Sequence, residues 1–273
     1  MTSWITTSTT KKKVAPAPVS YFPYKEGTFV TKTKEATVVT AFYDIPSNQS
    51  LEKRKESLQQ FLQRVPCQII LFTEHELADE IAVYRMGLEK RTRVVVLDPS
   101  EWISNTKYIP SLWTQQVKQD PELRLARTVE ELKFGFEKKE FMVKATEMNP
   151  FGSEDFVWVD SNSFGSIPST FPLANAIPTD RILVANPEPF RADDLASSYF
   201  KGKNRITHTL LAGSKRSWIE YSKLYDVIIT QKLKISAFIG DDLMILQYMI
   251  IHKPNQFCLV NEPSLTTVLS TPA

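Results

Sequence analysis

Between Thr37 and Asp98 the chain alternates two kinds of segment with a regularity that few folds can use. Three short runs, "TVVTAFY", "CQIILFT" and "TRVVVLD", are dense in β-branched and aromatic residues, the types that suit a pleated, buried surface. Between them, "SLEKRKESLQQFLQRV" and "EHELADEIAVYRMGLEK" read as helices. In the first, Leu51, Leu58, Phe61, Leu62 and Val65 share roughly one face, with Ser50 or Asn48 placed as cap. Strand, helix, strand, helix, strand in that order predicts a parallel sheet with helices on both faces. At 273 residues the chain is long enough to bury such a core within one α/β domain.

The remainder extends this pattern. Residues 100–128, rich in Trp, Gln and Pro, predict short helices over the sheet. "TVEELKFGFEKKEFMVKATEM" predicts a longer helix containing Gly135, and "NPFGSED" breaks it before the strand "FVWVD". Residues 165–180 form an irregular loop with three prolines. Two strand-like segments follow, "RILVAN" and "NRITHTLLAG", then helices from Lys215 to about Lys232 and from Asp241 to His252, then a last strand, "QFCLV". Residues 1–34 mix a Ser/Thr tract, a Lys triplet and an Ala-Pro segment without amphipathic period, and read as an extended arm. The expected division is therefore an arm at 1–34, a domain at 35–265 and a tail at 266–273.

Composition narrows the function. A net charge of +2 with Lys and Arg spread along the chain points away from nucleic acid as a partner. The longest apolar run, "LMILQYMII", is about half of the ~20 residues that a membrane span requires. No signal-like segment opens the sequence, so a cytoplasmic location is the default expectation. Cys67 and Cys258 both lie in apolar runs and read as buried free thiols. Neither Gly-x-Gly-x-x-Gly nor a P-loop nor Gly-x-Ser-x-Gly occurs, which removes the main support for dinucleotide, P-loop and α/β-hydrolase chemistry. With three histidines, a His-rich zinc site is not expected.

What remains is a set of strand ends. Asp44, Asp98 and Asp160 each follow a predicted strand, and in α/β sheets the carboxyl ends of strands open into the crevice where ligands bind. Carboxylates on such a rim can take sugar hydroxyls or hold a divalent ion; Asp160 and Asn162 offer oxygen ligands suited to Mg2+ or Mn2+. Capping of a turn is the competing reading for Asp160, and an Asp-Pro turn for Asp98. "THTLLAGSKRSW" sets His208, Gly213, Ser214 and Lys215 between a strand and a helix, an arrangement that attracts phosphate, although a strand histidine is commonly structural. "GDDLM" places Asp241 and Asp242 at a helix start. Capping accounts for one of them, and the other is a candidate general base.

Taken in order, "TVVTAFYDI", "KKEFMVKA...NPFGSEDFVWVDSNSF", "LLAGSKRSWIEY" and "GDDLMILQYMIIHKPNQFCLV" resemble the HtrL/WlaTC family of bacterial and viral glycosyltransferase-like proteins over roughly Thr37 to Val260. The resemblance implies a single-domain GT-A-type fold: a Rossmann-like, mixed and mostly parallel sheet flanked by helices. It also implies a nucleotide sugar, UDP-linked by preference, as donor and a glycan or glycoprotein as acceptor, with host cytoplasm as the location if the chain is viral. Thr40, Ala41 and Tyr43 would line the nucleoside pocket, with Asp160 and Ser161 on the nucleotide sugar. Asp160, Asn162 and His208 would hold Mn2+ or Mg2+; Gly213, Ser214 and Lys215 would approach the diphosphate, and Asp241 or Asp242 would face the acceptor. Related transferases carry Asp-x-Asp where this chain has Asp-Ser-Asn, which puts metal dependence in question. It also keeps open a second reading, a catalytically degenerate fold that serves as a binding protein.

Overall fold

The computed structural model describes residues 35–120, 127–191, 193–194 and 204–270; the expected arm at 1–34 lies outside them. A seven-stranded sheet is built from β1 (Thr37–Phe42), β2 (Gln68–Thr73), β3 (Thr92–Val96), β4 (Asp155–Val159), β5 (Ile182–Ala185), β6 (Thr207–Ser214) and β7 (Phe257–Val260), in the order β3-β2-β1-β4-β6-β5-β7. β3, β2, β1 and β4 are parallel, as are β5 and β7, while β6 runs antiparallel to both of its neighbours. This is the single-domain, mixed and mostly parallel Rossmann-like sheet expected of a GT-A-type chain.

Alternation along each strand divides the core into two layers. Val39, Ala41, Ile70, Phe72, Phe156 and Trp158 face one layer. It is covered by α3 (Ile103–Thr106), α4 (Pro110–Gln119), α5 (Val129–Met148), α6 (Lys215–Lys234) and α7 (Asp242–His252). Val38, Phe42, Ile69, Leu71, Val157 and Val159 face the other, under α1 (Leu51–Arg64), α2 (His75–Val83) and α8 (Leu265–Val268).

Local chemistry sets the element ends. Ser50 caps α1 by accepting from the Lys53 amide, and Leu58, Phe61 and Leu62 are its buried face. α2 stops sooner than its apolar pattern predicts, before Gly87, which turns the chain at φ +86°. α5 opens on a reciprocal capping box between Thr128 and Glu131 and closes on Asn149 in the left-handed conformation. Within the expected tail, Leu269 is fully buried beside Leu265, so the chain at 265–269 packs against the sheet. Cys67 is buried, Cys258 is half-buried and both thiols are free; burial pushes the Cys67 thiol up to about 12. Among the described residues no helix is long and apolar enough to cross a membrane.

Candidate active site

β1 is where the chain changes direction across the sheet: β2 and β3 extend to one side, and β4 returns to pair on the other. Such a switch point leaves a crevice beyond the carboxyl ends of the two strands. Asp160 follows β4 directly on that edge. Its amide donates to the Thr209 carbonyl at 2.8 Å, so the antiparallel β6 brings His208 to the same edge. α7 starts there as well, and α5 crosses beneath.

Lys138, on α5, joins these parts. Its ammonium donates to Asp242 in a short contact and to the His208 carbonyl at 3.2 Å, and lies 3.9 Å from Asp160 Oδ2. It also sits 5.4 Å from the centre of the Trp158 ring. The Lys138 side chain is 5% exposed, against 13% for Asp160 and 28% for His208, so the lysine lies just under the rim that they form. His208 Nε2 is 3.7 Å from Asp242 Oδ1. Burial by itself lifts the Asp242 carboxyl, but His208 and Lys138 outweigh it and hold the group below the usual carboxylate range.

Asp241 is differently placed. It caps α7 by accepting from the Met244 amide at 2.8 Å and pairs with Arg127 at 2.6 Å. Burial, then the adjacent Asp242, pushes its carboxyl up. Arg127 also holds Asp120 at 2.6 Å, which ties the end of α4 to the start of α7.

Thus Asp160, His208, Asp241 and Asp242 gather at one edge, with Ser161 beside Asp160, whereas one group of candidates lies elsewhere. Gly213, Ser214 and Lys215 lie at the opposite end of the sheet. The register pairs Val159 with Leu210 and Asp155 with Ser214, so Ser214 is four residues, roughly 13 Å at about 3.3 Å per residue, back along β4 from its carboxyl end. Each has a structural task there. A Cβ on Gly213 would come within 2.6 Å of Ile182 Cδ1; Ser214 caps α6 and donates to the Thr179 carbonyl; and the Lys215 amide donates to the Glu154 backbone carbonyl at 2.9 Å. The segment expected to approach a diphosphate therefore does not share an edge with Asp160, because an antiparallel β6 carries its two ends to opposite edges.

Nor do the side chains from β1 open into a pocket. Thr40 is fully buried and donates to the Val159 carbonyl at 2.7 Å; Ala41 is buried. Tyr43 turns into the helical layer against Trp102 and Phe141, its hydroxyl donating to the Leu97 carbonyl at 2.9 Å. Ser161 donates to Asp160 Oδ1 at 3.5 Å. Asn162 belongs to the 3₁₀ turn Ser161–Ser166, and its side chain lies outside the described residues. Of the other strand ends, Asp44 pairs with Arg54 at 3.0 Å. Asp98 forms a capping box with Glu101 and accepts from the His75 amide, the turn role weighed for it above.

The residues described at this edge do not fit a resident divalent ion. The position between the Asp160 and Asp242 carboxylates is taken by the Lys138 ammonium. Among the described residues no group of three or more His, Cys, Asp or Glu has the arrangement of a metal site.

Lys138 was not among the sequence candidates, although "FEKKEF" held a signal for it. Four consecutive charges between Phe136 and Phe141 cannot all face solvent on a helix with 3.6 residues per turn, and three of them, Glu137, Lys138 and Lys139, are buried.

This chain belongs to the HtrL_YibB family, described as "Bacterial protein of unknown function", whose match spans residues 34–263. No curated protein matches it. Solved structures similar in shape include the apo form of mouse xyloside xylosyltransferase 1, at 11% identity and a TM-score of 0.41, covering 82% of this chain and 84% of that one. Another is the apo form of the glycosyltransferase GlyE from Streptococcus pneumoniae TIGR4, at 12% identity and a TM-score of 0.41, covering 83% of this chain and 45% of that one. At these scores the likeness carries no argument about activity, and the reading of the site rests on its own geometry.

Proposed function

We propose that the protein is a glycosyltransferase that moves a sugar from a nucleotide-sugar donor, UDP-linked by preference, to a glycan or glycoprotein acceptor. The observation that carries this reading is the convergence of Asp160, His208 and Asp242 on Lys138 at the carboxyl edge of β1 and β4, beside the switch point. Carboxylates there suit the hydroxyl-rich part of such a donor, and a cation beneath them suits the charge that develops on its leaving group.

In the reaction, an acceptor oxygen bonds to the anomeric carbon while the bond from that carbon to the diphosphate oxygen breaks, its electron pair leaving with the diphosphate. The acceptor's proton passes to a carboxylate. Asp241 suits that task better than Asp242, because its raised proton affinity favours accepting a proton, whereas Asp242 is held ionised by Lys138 and His208. A base on the acceptor side implies inversion at the anomeric carbon.

The test is a panel of UDP-, GDP- and TDP-sugars scored by thermal shift and by product formation with the full chain. Stabilisation by one donor, with transfer lost in Asp160→Ala, supports the proposal. A flat panel from well-folded protein transfers the weight to the second reading, a degenerate fold acting as a binding protein, which the Asp-Ser-Asn sequence favours.

A further inference from the structure

We infer that Lys138 is the resident cation of this site, so that the nucleotide sugar binds without a divalent ion and Asp160 takes donor hydroxyls directly. The inference rests on the reading above and adds the electrostatics of donor recognition to it. Asp160 and Asp242 arrive from β4 and α7, elements far apart in sequence, and two carboxylates brought together under a rim repel unless a cation lies between them. A metal ion is one solution to that problem. Here the fold uses another: α5 delivers an ammonium group from below, in contact with Asp242, within 3.9 Å of Asp160 and bonded to the His208 carbonyl at 3.2 Å.

The lysine is fixed in place by more than its charge. The Trp158 ring lies 5.4 Å away on one side, and its side chain is almost fully withdrawn from solvent, so a divalent ion could enter only by expelling it. Gly135, one turn before Lys138 on α5, comes against Asp242: a Cβ placed there would stand 3.6 Å from Asp242 Oδ1. α5 and the start of α7 are thus in van der Waals contact beside the ammonium and carboxylate pair. Asp160, farther from Lys138 and with its side chain 13% exposed at the rim, is the carboxylate placed to meet a sugar or ribose hydroxyl. Lys138 acts as a positioning and charge-balancing residue, holding the carboxylates and setting the field felt by the departing diphosphate.

The deciding experiment measures nucleotide-sugar binding by calorimetry and thermal shift on the full chain, using the UDP-, GDP- and TDP-sugar panel in EDTA and in Mn2+. Wild-type protein is expected to bind its donor with the same affinity, within about twofold, in both conditions, and Mn2+ alone is expected to leave its melting temperature unchanged. Lys138→Ala is expected to bind donor about tenfold or more weakly in EDTA. That variant should also acquire a Mn2+-dependent thermal shift, as the vacated position between two carboxylates and an imidazole admits the metal; a purely structural lysine would not produce this gain. If Lys138→Ala alone fails to fold, Lys138→Ala/Asp242→Asn removes the unpaired charge, and the wild-type comparison needs no variant. Wild-type binding that requires Mn2+ overturns this inference and leaves the transferase reading standing. Absence of binding to any donor in both conditions overturns the two together.

Discussion

The Asp160 amide donates to the Thr209 carbonyl at 2.8 Å, so main chain fixes the backbone of this aspartate at the edge. Its carboxylate sits at the rim with Ser161 and Lys138. Asp160→Ala is expected to change unfolding free energy by no more than about 1 kcal/mol, while transfer from the donor falls by about a hundredfold or more. Denaturant titration and a product assay on the same preparation check both halves.

The adjacent carboxylates Asp241 and Asp242 are expected to differ in what they stabilise. Asp241→Ala removes a helix cap and an ion pair with Arg127, at a cost of about 1–2 kcal/mol. Among the described residues, Asp242→Ala leaves the buried Lys138 with the more distant Asp160 as its acidic partner, and breaking a buried pair in this way costs about 3 kcal/mol or more. Equal losses in urea unfolding would contradict this ranking.

Stability is expected to carry a pH dependence that originates at Glu137. Burial lifts its carboxyl to about 7, against the pull of its hydrogen bonds from Ser104. The folded protein therefore holds this proton more tightly than the unfolded chain does. Its contribution is complete below the unfolded value near 4.5 and is lost as pH rises through 7. Between pH 5.5 and 8 the loss is on the order of 2 kcal/mol. Glu137→Gln should flatten that part of the profile, measured as the difference between the wild-type and variant curves.

Gly213→Ala tests the two edges of the sheet against each other. The added methyl meets Ile182 at 2.6 Å, with Ser217 at 3.3 Å and the Arg181 carbonyl at 3.4 Å, and overpacking of this kind costs about 1–3 kcal/mol. Donor affinity should stay unchanged, because the substitution lies at the far end of β6 from Asp160. A selective loss of nucleotide binding would return the diphosphate to the Gly213 segment.

Much of this arrangement is legible in the sequence, and the parts that are not have physical causes. β1 through β3 and their helices announce themselves by period, since each strand is buried on a local pattern that needs no knowledge of its partners. Asp160 is visible for the same reason: it stands where a β-rich run ends. The direction of β6 is not encoded locally, because "THTLLAGS" has the same pattern whether it pairs parallel or antiparallel, and that direction decides whether His208 or Lys215 joins Asp160. The sequence offers both His208 and Lys215 as companions of Asp160, and the antiparallel register sends them to opposite edges. Thr40, Ala41 and Tyr43 were placed by analogy with the end of a first strand, whereas the structure packs Tyr43 among Trp102, Phe134 and Phe141. Lys138 escaped because a lysine inside a helix is ordinarily solvated, and its burial follows from elements that come together only in three dimensions.

The spread of the site along the chain has a consequence for synthesis. Lys138, Asp160, His208 and Asp242 come from α5, the end of β4, β6 and the start of α7, and the last of these leaves the ribosome about a hundred residues after the first. Because domains fold as units, a nascent chain that already displays the first parallel strands and Asp160 still lacks the helix that fixes Lys138. The charge cluster at this edge is therefore incomplete until nearly all of the domain has been made. A product truncated before Asp241 would carry the rim without the carboxylate that holds its cation.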